Sequence, residues 1–310
     1  MVSVRQAILI ILLVSSITMI QRVLSGGHVY WDPSRRVLES DEISMSLSPR
    51  KPRYVLWHKA EQKVRYFFEI ERISEFVDVN GNGMLDLDTE RLVDASLESG
   101  GWRLHNRRHK RNNIVVEEIE MSAEIQIHER WGRRRAAEIS ISSIMSNDDV
   151  QWDKGTLHAL HEIRITLNIS KWPWNTDTSL LQVSISYGVE EGTTNIISTA
   201  EDTESKNIEI SGDGLSMMYI NISETIQIDG EETNTTINLS EGSIRITLTH
   251  FTNNAVLDFT LGIIVPEAAT SFSKNEDIAI TCFIILVATI ATLKIIASRH
   301  KIEHISKIVA

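Results

Sequence analysis

The chain has 310 residues, a formal net charge of −11, and a composition that is 42% hydrophobic and 24% charged. A negative balance of this size argues against nucleic acid as a partner, because phosphates call for a cationic surface. The single cysteine, Cys282, excludes a disulfide within the chain, so stability must come from core size or from a bound metal.

The first stretch, "MVSVRQAILIILLVSSITMIQRVLSGGH", places Arg5 ahead of an apolar run from Ala7 to Val14 that weakens toward Ile20. Small residues Ser25, Gly26 and Gly27 follow it. This layout predicts a secretory signal peptide over residues 1–25, with an uncleaved anchor as the alternative. From His28 to about Lys63 the periodicity is weak and Pro33, Pro49 and Pro52 interrupt it, so residues 26–63 read as a strand-poor lead-in.

"DVNGNGMLDLD" runs from Asp78 to Asp88. Loops of the form D-x-[DN]-x-[DN]-G turn alternate oxygen-bearing side chains toward one centre while glycine makes the sharp bend. Asp78, Asn80 and Asn82 take the first, third and fifth places, Gly83 the sixth, the Met84 carbonyl the seventh and Asp86 the ninth. Over these dozen residues the chain resembles the calcium loop of the EF-hand family, and dockerin-like and other extracellular calcium loops as well. The resemblance implies a structural Ca2+ ion held by Asp78, Asn80, Asn82, Met84 and Asp86. Where the EF-hand loop ends in a bidentate glutamate this chain has Thr89, so closure falls to Asp88 or Glu90. Ligation of that kind implies an affinity of about 0.1 to 1 mM, the range of extracellular modules. "VRYFFEI" before the loop reads as a strand; a helical reading with Ile70, Ile73 and Val77 on one stripe remains open, as does an Asn-Gly hairpin turn without metal.

"RRHKR" concentrates Arg107, Arg108, Lys110 and Arg111. Three readings stay open: a furin-type processing site cut after Arg111, an anion patch for surface polysaccharide or lipid headgroups, and a solvated charged hairpin. "HALHE" (His158 to Glu162) is not read as a metal pair, since residues three apart on a strand face opposite sides. Trp172 and Trp174 read as packing rather than as sugar platforms.

Alternation with a period of two dominates the middle of the chain. In "EIEMSAEIQIH" Ile119, Met121, Ala123, Ile125 and Ile127 share one face, and Glu118, Glu120, Ser122, Glu124 and Gln126 the other. The pattern recurs in "AEISISSI", "HEIRITLNIS", "LLQVSISY", "MMYINISETIQI", "SIRITLTHF" and "AVLDFTLGIIV", with turn chemistry between them in "SNDD", "SGDG", "DGEETN" and "SEG". An all-β chain follows: an antiparallel β-sandwich ectodomain over residues 64–272. A subdivision near 172–175 is suggested by a shift in charge, because Asn175 to Asp277 holds 17 acidic residues against Lys206, Arg245 and Lys274, a local balance of −14. Four glycosylation sequons stand at Asn168, Asn221, Asn234 and Asn238.

Near the end, Ile278 to Ala297 has Lys294 as its only charge and at roughly 1.5 Å per residue spans a hydrocarbon core. A single transmembrane helix is expected over 278–297. Glu276 and Asp277 precede it while Arg299, Lys301 and Lys307 follow, so the 298–310 tail is expected in the cytoplasm and the ectodomain outside. The expected protein is a membrane-anchored binding or structural component of the cell surface, with a calcium-stabilised loop. Its expected partners are the lipid bilayer and a surface polysaccharide or another surface protein. The alternative is a surface carbohydrate-active enzyme on the same scaffold; no catalytic motif is present in the sequence.

Overall fold

The computed structural model describes residues 27–98, 101–128, 134–152, 155–201 and 205–265. The expected signal peptide (1–25), transmembrane helix (278–297) and cytoplasmic tail (298–310) lie outside the described residues. Among those residues there is no α-helix, and hence none long and apolar enough to cross a membrane. They are all-β, in antiparallel sheets, and up to Ile264 they belong to one compact unit.

Strands β1 (Val29–Asp32), β2 (Val37–Ser40), β3 (Ile43–Leu47), β4 (Arg53–His58) and β5 (Tyr66–Phe76) form a meander. β6 (Arg91–Ser96) then pairs with the second half of β5, on the edge whose first half β4 occupies. The expected strand-poor lead-in is therefore corrected: β1 to β4 fall within residues 26–63 and bury Leu38, Ile43, Met45, Tyr54 and Leu56. Strands of four to six residues are too short to establish a period, and Pro33, Pro49 and Pro52 all lie in the turns between them.

β7 (Arg103–Arg111), β8 (Ile114–His128) and β9 (Arg134–Ser146) begin a second sheet, β10 (Val150–Trp152) and β11 (Gly155–Leu157) form a separate hairpin, and β12 (Glu162–Ser170) joins β9. Residues 171–179 cross to β13 (Leu180–Val189) in the first sheet. β14 (Asn195–Glu201), β15 (Ser205–Ser211), β16 (Met217–Ser223), β17 (Thr225–Ile228) and β18 (Glu231–Asn234) return to the second. β19 (Thr236–Ser240) and β20 (Ser243–Leu248) complete the first, and β21 (Asn254–Ile264) fills the middle of the second. The spatial orders are β1-β2-β3-β4-β5-β13-β20-β19 and β14-β15-β16-β21-β12-β9-β8-β7. Both halves of the chain contribute to both sheets, so residues 172–175 are a crossover within one unit rather than a seam between two.

The sheets pack face to face in a sandwich-like arrangement around one core. Ile163, Ile165, Leu167 and Ile169 of β12, as the alternation requires, lie opposite Leu261, Phe259, Leu257 and Ala255 of β21, and all eight are buried. Val183 and Ile185 line the other sheet, and the rings of Phe68 and Phe259 meet between the sheets at 5.4 Å. Each such side chain contributes about 1.5–3 kcal/mol by leaving water. One irregularity explains the helical alternative over 70–77. Register along β5 slips between Ser184 and Ile185, which pair with Arg72 and Ile70, so Glu71 is an extra residue in the ladder. This bulge turns both Ile70 and Ile73 into the core, although a regular strand would send residues three apart to opposite faces.

β12 defines two ends of the sandwich, separated by about 26 Å of extended chain. At the near end, where β12 begins, Ile263 N–H donates to His161 O at 3.2 Å and Leu160 N–H to Ser146 O at 3.1 Å. At the far end, Ser170 pairs with Asn254, the crossover begins, and β5 finishes beside Leu180.

Candidate metal-binding loop

The loop at 77–90 joins β5 to β6 at the far end, so it is carried by two strands and not by the two helices of an EF-hand. Val77 N–H donates to Glu90 O at 3.1 Å and closes its base. Asp78 Oδ1 accepts from the N–H groups of Gly81 (2.8 Å) and Asn82 (3.1 Å), and its Oδ2 accepts from Gly83 (2.8 Å). Asn80 Oδ1 accepts from Asn82 N–H at 3.0 Å, and Asn82 Oδ1 from Met84 N–H at 2.7 Å. Gly83 has φ +70°, the left-handed region in which a side chain is strained, and this is the sharp bend that the pattern assigns to glycine.

Glu90 is only 3% exposed, and its carboxylate spans the loop from the far side. Oε1 accepts from Val79 N–H (3.0 Å) and Asn80 N–H (3.3 Å), and Oε2 from Asp86 N–H (2.8 Å). Asp86 Oδ1 in turn accepts from Asp88 N–H at 3.2 Å, while Asp88 itself is exposed. Of the two candidates for closing the shell, Glu90 is thus inside the loop and Asp88 outside it.

The loop folds down on the outer face of the first sheet. Leu85 is buried, its N–H donates to Gln182 Oε1 at 3.1 Å, and Thr247 Oγ1 donates to Gly83 O at 2.8 Å. Gln182 and Thr247 are opposite each other on β13 and β20, so the loop covers a polar pair that would otherwise face water. Val79 and Leu87 point away from the sheet, 76% and 50% exposed.

Among the described residues, no three His, Cys, Asp or Glu side chains converge as a ready-made cation site. The loop's own donors are of another kind: two aspartates, two asparagine amides and a main-chain carbonyl. A carboxylate or amide oxygen has two lone pairs, so one N–H contact leaves one pair for a cation. By that count Asp78 Oδ2, Asn80 Oδ1, Asn82 Oδ1, both Asp86 oxygens and Glu90 Oε2 keep capacity. All are oxygens, the donors a hard cation such as Ca2+ takes.

The buried group that sequence reading missed lies directly beneath. Glu75, fully buried, accepts from Trp172 Nε1 (3.2 Å), Asn175 N–H (2.7 Å), Asn175 Nδ2 (2.8 Å) and Ser179 Oγ (2.5 Å). Four neutral donors from the 171–179 crossover thereby tie β5 to the loop's root. Trp172 is packed as expected, and half-buried Trp174 stacks on His250 at 4.4 Å and donates to Phe251 O at 2.8 Å.

The basic stretch forms the exposed edge strand β7, whose ladder with β8 sets it against glutamates. Arg107 meets Glu120 at 3.0 Å, Arg108 meets Glu117 at 3.2 Å and His109 meets Glu118 at 3.0 Å. Arg111 is the last residue of β7, and among the described residues neither it nor Lys110 has an ion pair. Asn168 and Asn221 lie on faces turned away from the core; Asn168 Oδ1 accepts from Asn254 Nδ2 at 3.3 Å, and Asn221 Nδ2 donates to Asn207 Oδ1 at 2.7 Å. Asn234 ends β18 and is exposed, and Asn238 is half-buried on β19 opposite Arg245. His158 and His161 prove to sit in the turn before β12, not on a strand, and their rings stack at 6.2 Å.

At the near end, a row across three strands sets Glu162, Gly262 and Tyr219 side by side. The Tyr219 hydroxyl donates to Glu162 Oε1, and burial, reinforced by that carboxylate, keeps the phenol protonated far above its ordinary range. The outer face of the second sheet holds a half-open polar groove of about 520 Å³, lined by Arg103, Glu120, Glu124, Glu138 and Asn168 among others. Glu124 and Glu138 are directly opposite on β8 and β9, and Lys171 holds Glu138 at 2.5 Å. No protein-family model matches the chain, and no curated protein matches it.

Proposed function

We propose that the protein is a membrane-anchored module of the cell surface that acts by binding or by building structure, with a Ca2+ ion stiffening the loop at its far end. The observation that supports the metal is the arrangement of Asp78, Asn80, Asn82 and Asp86, each of which braces a loop amide and retains an unused lone pair. Glu90 closes the shell through Oε2, Met84 supplies its carbonyl, and Asp88 stays in solvent. The anchoring half of the reading rests on the apolar segment 278–297 and the charges that flank it.

A ligand that binds only the folded state stabilises it by mass action. With an affinity of about 0.1 to 1 mM, about 10 mM Ca2+ raises the melting temperature by about 3–10 °C over a chelator control. Mg2+ at the same concentration gives a smaller rise, because the smaller ion holds its water more tightly. Identical melts with Ca2+ and chelator would exclude the metal.

A second reading, a carbohydrate-active enzyme, draws on the groove that brings Glu124 and Glu138 together. A glycan array separates the two. Retention without turnover favours the binding module, and released sugar favours the enzyme.

A further inference from the structure

The near end of the sandwich gathers three features that are far apart in the chain. Gly27, the first described residue, packs against the Leu160 side chain, and Leu160 N–H donates to Ser146 O at 3.1 Å. Asn147 N–H donates to Val115 O at 3.1 Å, and Val115 is paired with Lys110 next to the β7–β8 turn. Ile263 N–H donates to His161 O at 3.2 Å, one residue before β21 ends. Thus the chain enters the sandwich, leaves it, and turns between β7 and β8 all at the same end.

The strand that runs into that turn carries Arg107, Arg108, His109, Lys110 and Arg111, every one exposed. Side chains on a strand alternate between faces, so five consecutive basic residues surround the hairpin tip with charge instead of painting one side of it. Glu120, Glu117 and Glu118 neutralise the inner part of the strand, whereas Lys110 and Arg111 at the tip have no ion pair among the described residues. Of the other acidic groups of this end, Glu42, Glu191 and Asp213 are exposed, and three near the tip are engaged locally. Asp149 accepts from Ala159 N–H at 2.8 Å and faces His158, Asp148 accepts from Asp149 N–H at 2.9 Å, and Asp41 accepts from His28 N–H at 2.9 Å. The far end carries Asp78, Asp86, Asp88 and Asp229 around the loop and the β17–β18 turn, and also Arg134 and Arg135 where β9 begins.

We infer that the β7–β8 tip docks on anionic lipid headgroups, so that the end of the sandwich at which β21 finishes faces the bilayer. The inference rests on the anchored reading above and specifies its orientation. A negatively charged surface attracts clustered Lys and Arg within about a Debye length, about 8–10 Å at ordinary salt.

The test uses the full-length chain with Cys282→Ser and Asn113→Cys, which leaves Asn112 and its positive φ in place. A fluorophore on residue 113 reports on a headgroup-attached quencher in vesicles of phosphatidylcholine, alone or with about a third phosphatidylglycerol. The expected result is quenching that deepens with phosphatidylglycerol and is largely lost at about 0.5 M salt. Lys110→Glu with Arg111→Glu lowers the docked-to-undocked ratio by about tenfold or more, with an unchanged melting temperature; the milder Lys110→Gln with Arg111→Gln serves if the reversal disturbs folding. Equal quenching in the two lipid mixtures would overturn the docking. So would a label that responds to dextran sulfate but not to phosphatidylglycerol, an outcome that assigns the tip to an anionic polysaccharide. Release of the chain by alkaline carbonate overturns the anchored reading itself, whereas a retained chain with no lipid-dependent quenching overturns only the docking.

Discussion

The two ends of the sandwich handle charge in different ways. Around the far-end loop and crossover, four carboxylates are satisfied by neutral N–H and O–H groups: Glu75 by the crossover, Asp78 and Glu90 by loop amides, and Asp229 by the N–H groups of Thr252, Asn253 and Asn254. Toward the near end, the β7–β8 hairpin matches cation to anion across the ladder, and its edge strand is kept from pairing with other chains by its own charge. A carboxylate held by neutral donors has fixed surroundings and no cation of the protein against it, which suits a cation site. Charge pairs on an exposed ladder leave a surface that responds to an external field.

The sharpest way to break the contrast is Glu75→Ala. It strands the Trp172, Asn175 and Ser179 donors in a dry interior and is expected to cost about 3–4 kcal/mol, read by urea denaturation. A cost under about 1 kcal/mol would show that water satisfies these donors and that the far end is loosely held. At the near end, Gly262→Ala would place a methyl 2.2 Å from the Tyr219 ring. Displacing that ring breaks its bond to Glu162, and a loss of about 1–3 kcal/mol is expected in the same assay.

Asp78→Ala sharpens the comparison within the far end. Without metal it removes the acceptor for three amides and is expected to cost about 1–2 kcal/mol, and it abolishes any rise in melting temperature with Ca2+. An unchanged Ca2+ response in this variant would move the ion elsewhere. The smallest effect belongs to the hairpin ladder: Glu120→Gln removes the half-buried partner of the exposed Arg107 and is expected to cost less than about 1 kcal/mol. A larger loss would mean that the ladder organises the fold as the buried carboxylate does.

Much of this was legible beforehand, and for physical reasons that can be named. Where one face of a strand is buried and the other solvated, as in Ile119 to Ile127 or Ile163 to Ile169, burial imprints a period of two on the residues themselves. Position Gly83 and its flanking Asp and Asn are equally local, because a left-handed bend and its side-chain-to-amide bonds involve residues at most five apart. β7 was legible only as one of three open readings, the charged hairpin, since its residues do not alternate between apolar and polar; the ladder with β8 sets its basic residues against glutamates. β18 was not legible as a strand, since "EETN" reads as turn and becomes strand by pairing with β17.

By itself, then, the order of residues determined the strand-rich architecture, the faces that enter the core and the oxygen-bearing loop, all of which arise from interactions over a few neighbours. Only the tertiary structure decided that Glu75 meets a crossover about a hundred residues away, that Glu71 bulges, and that the first described residues, the finish of the last strand and the basic tip share one end. Those outcomes depend on which strands pair and in what register, and long-range pairing is settled by packing the whole core at once.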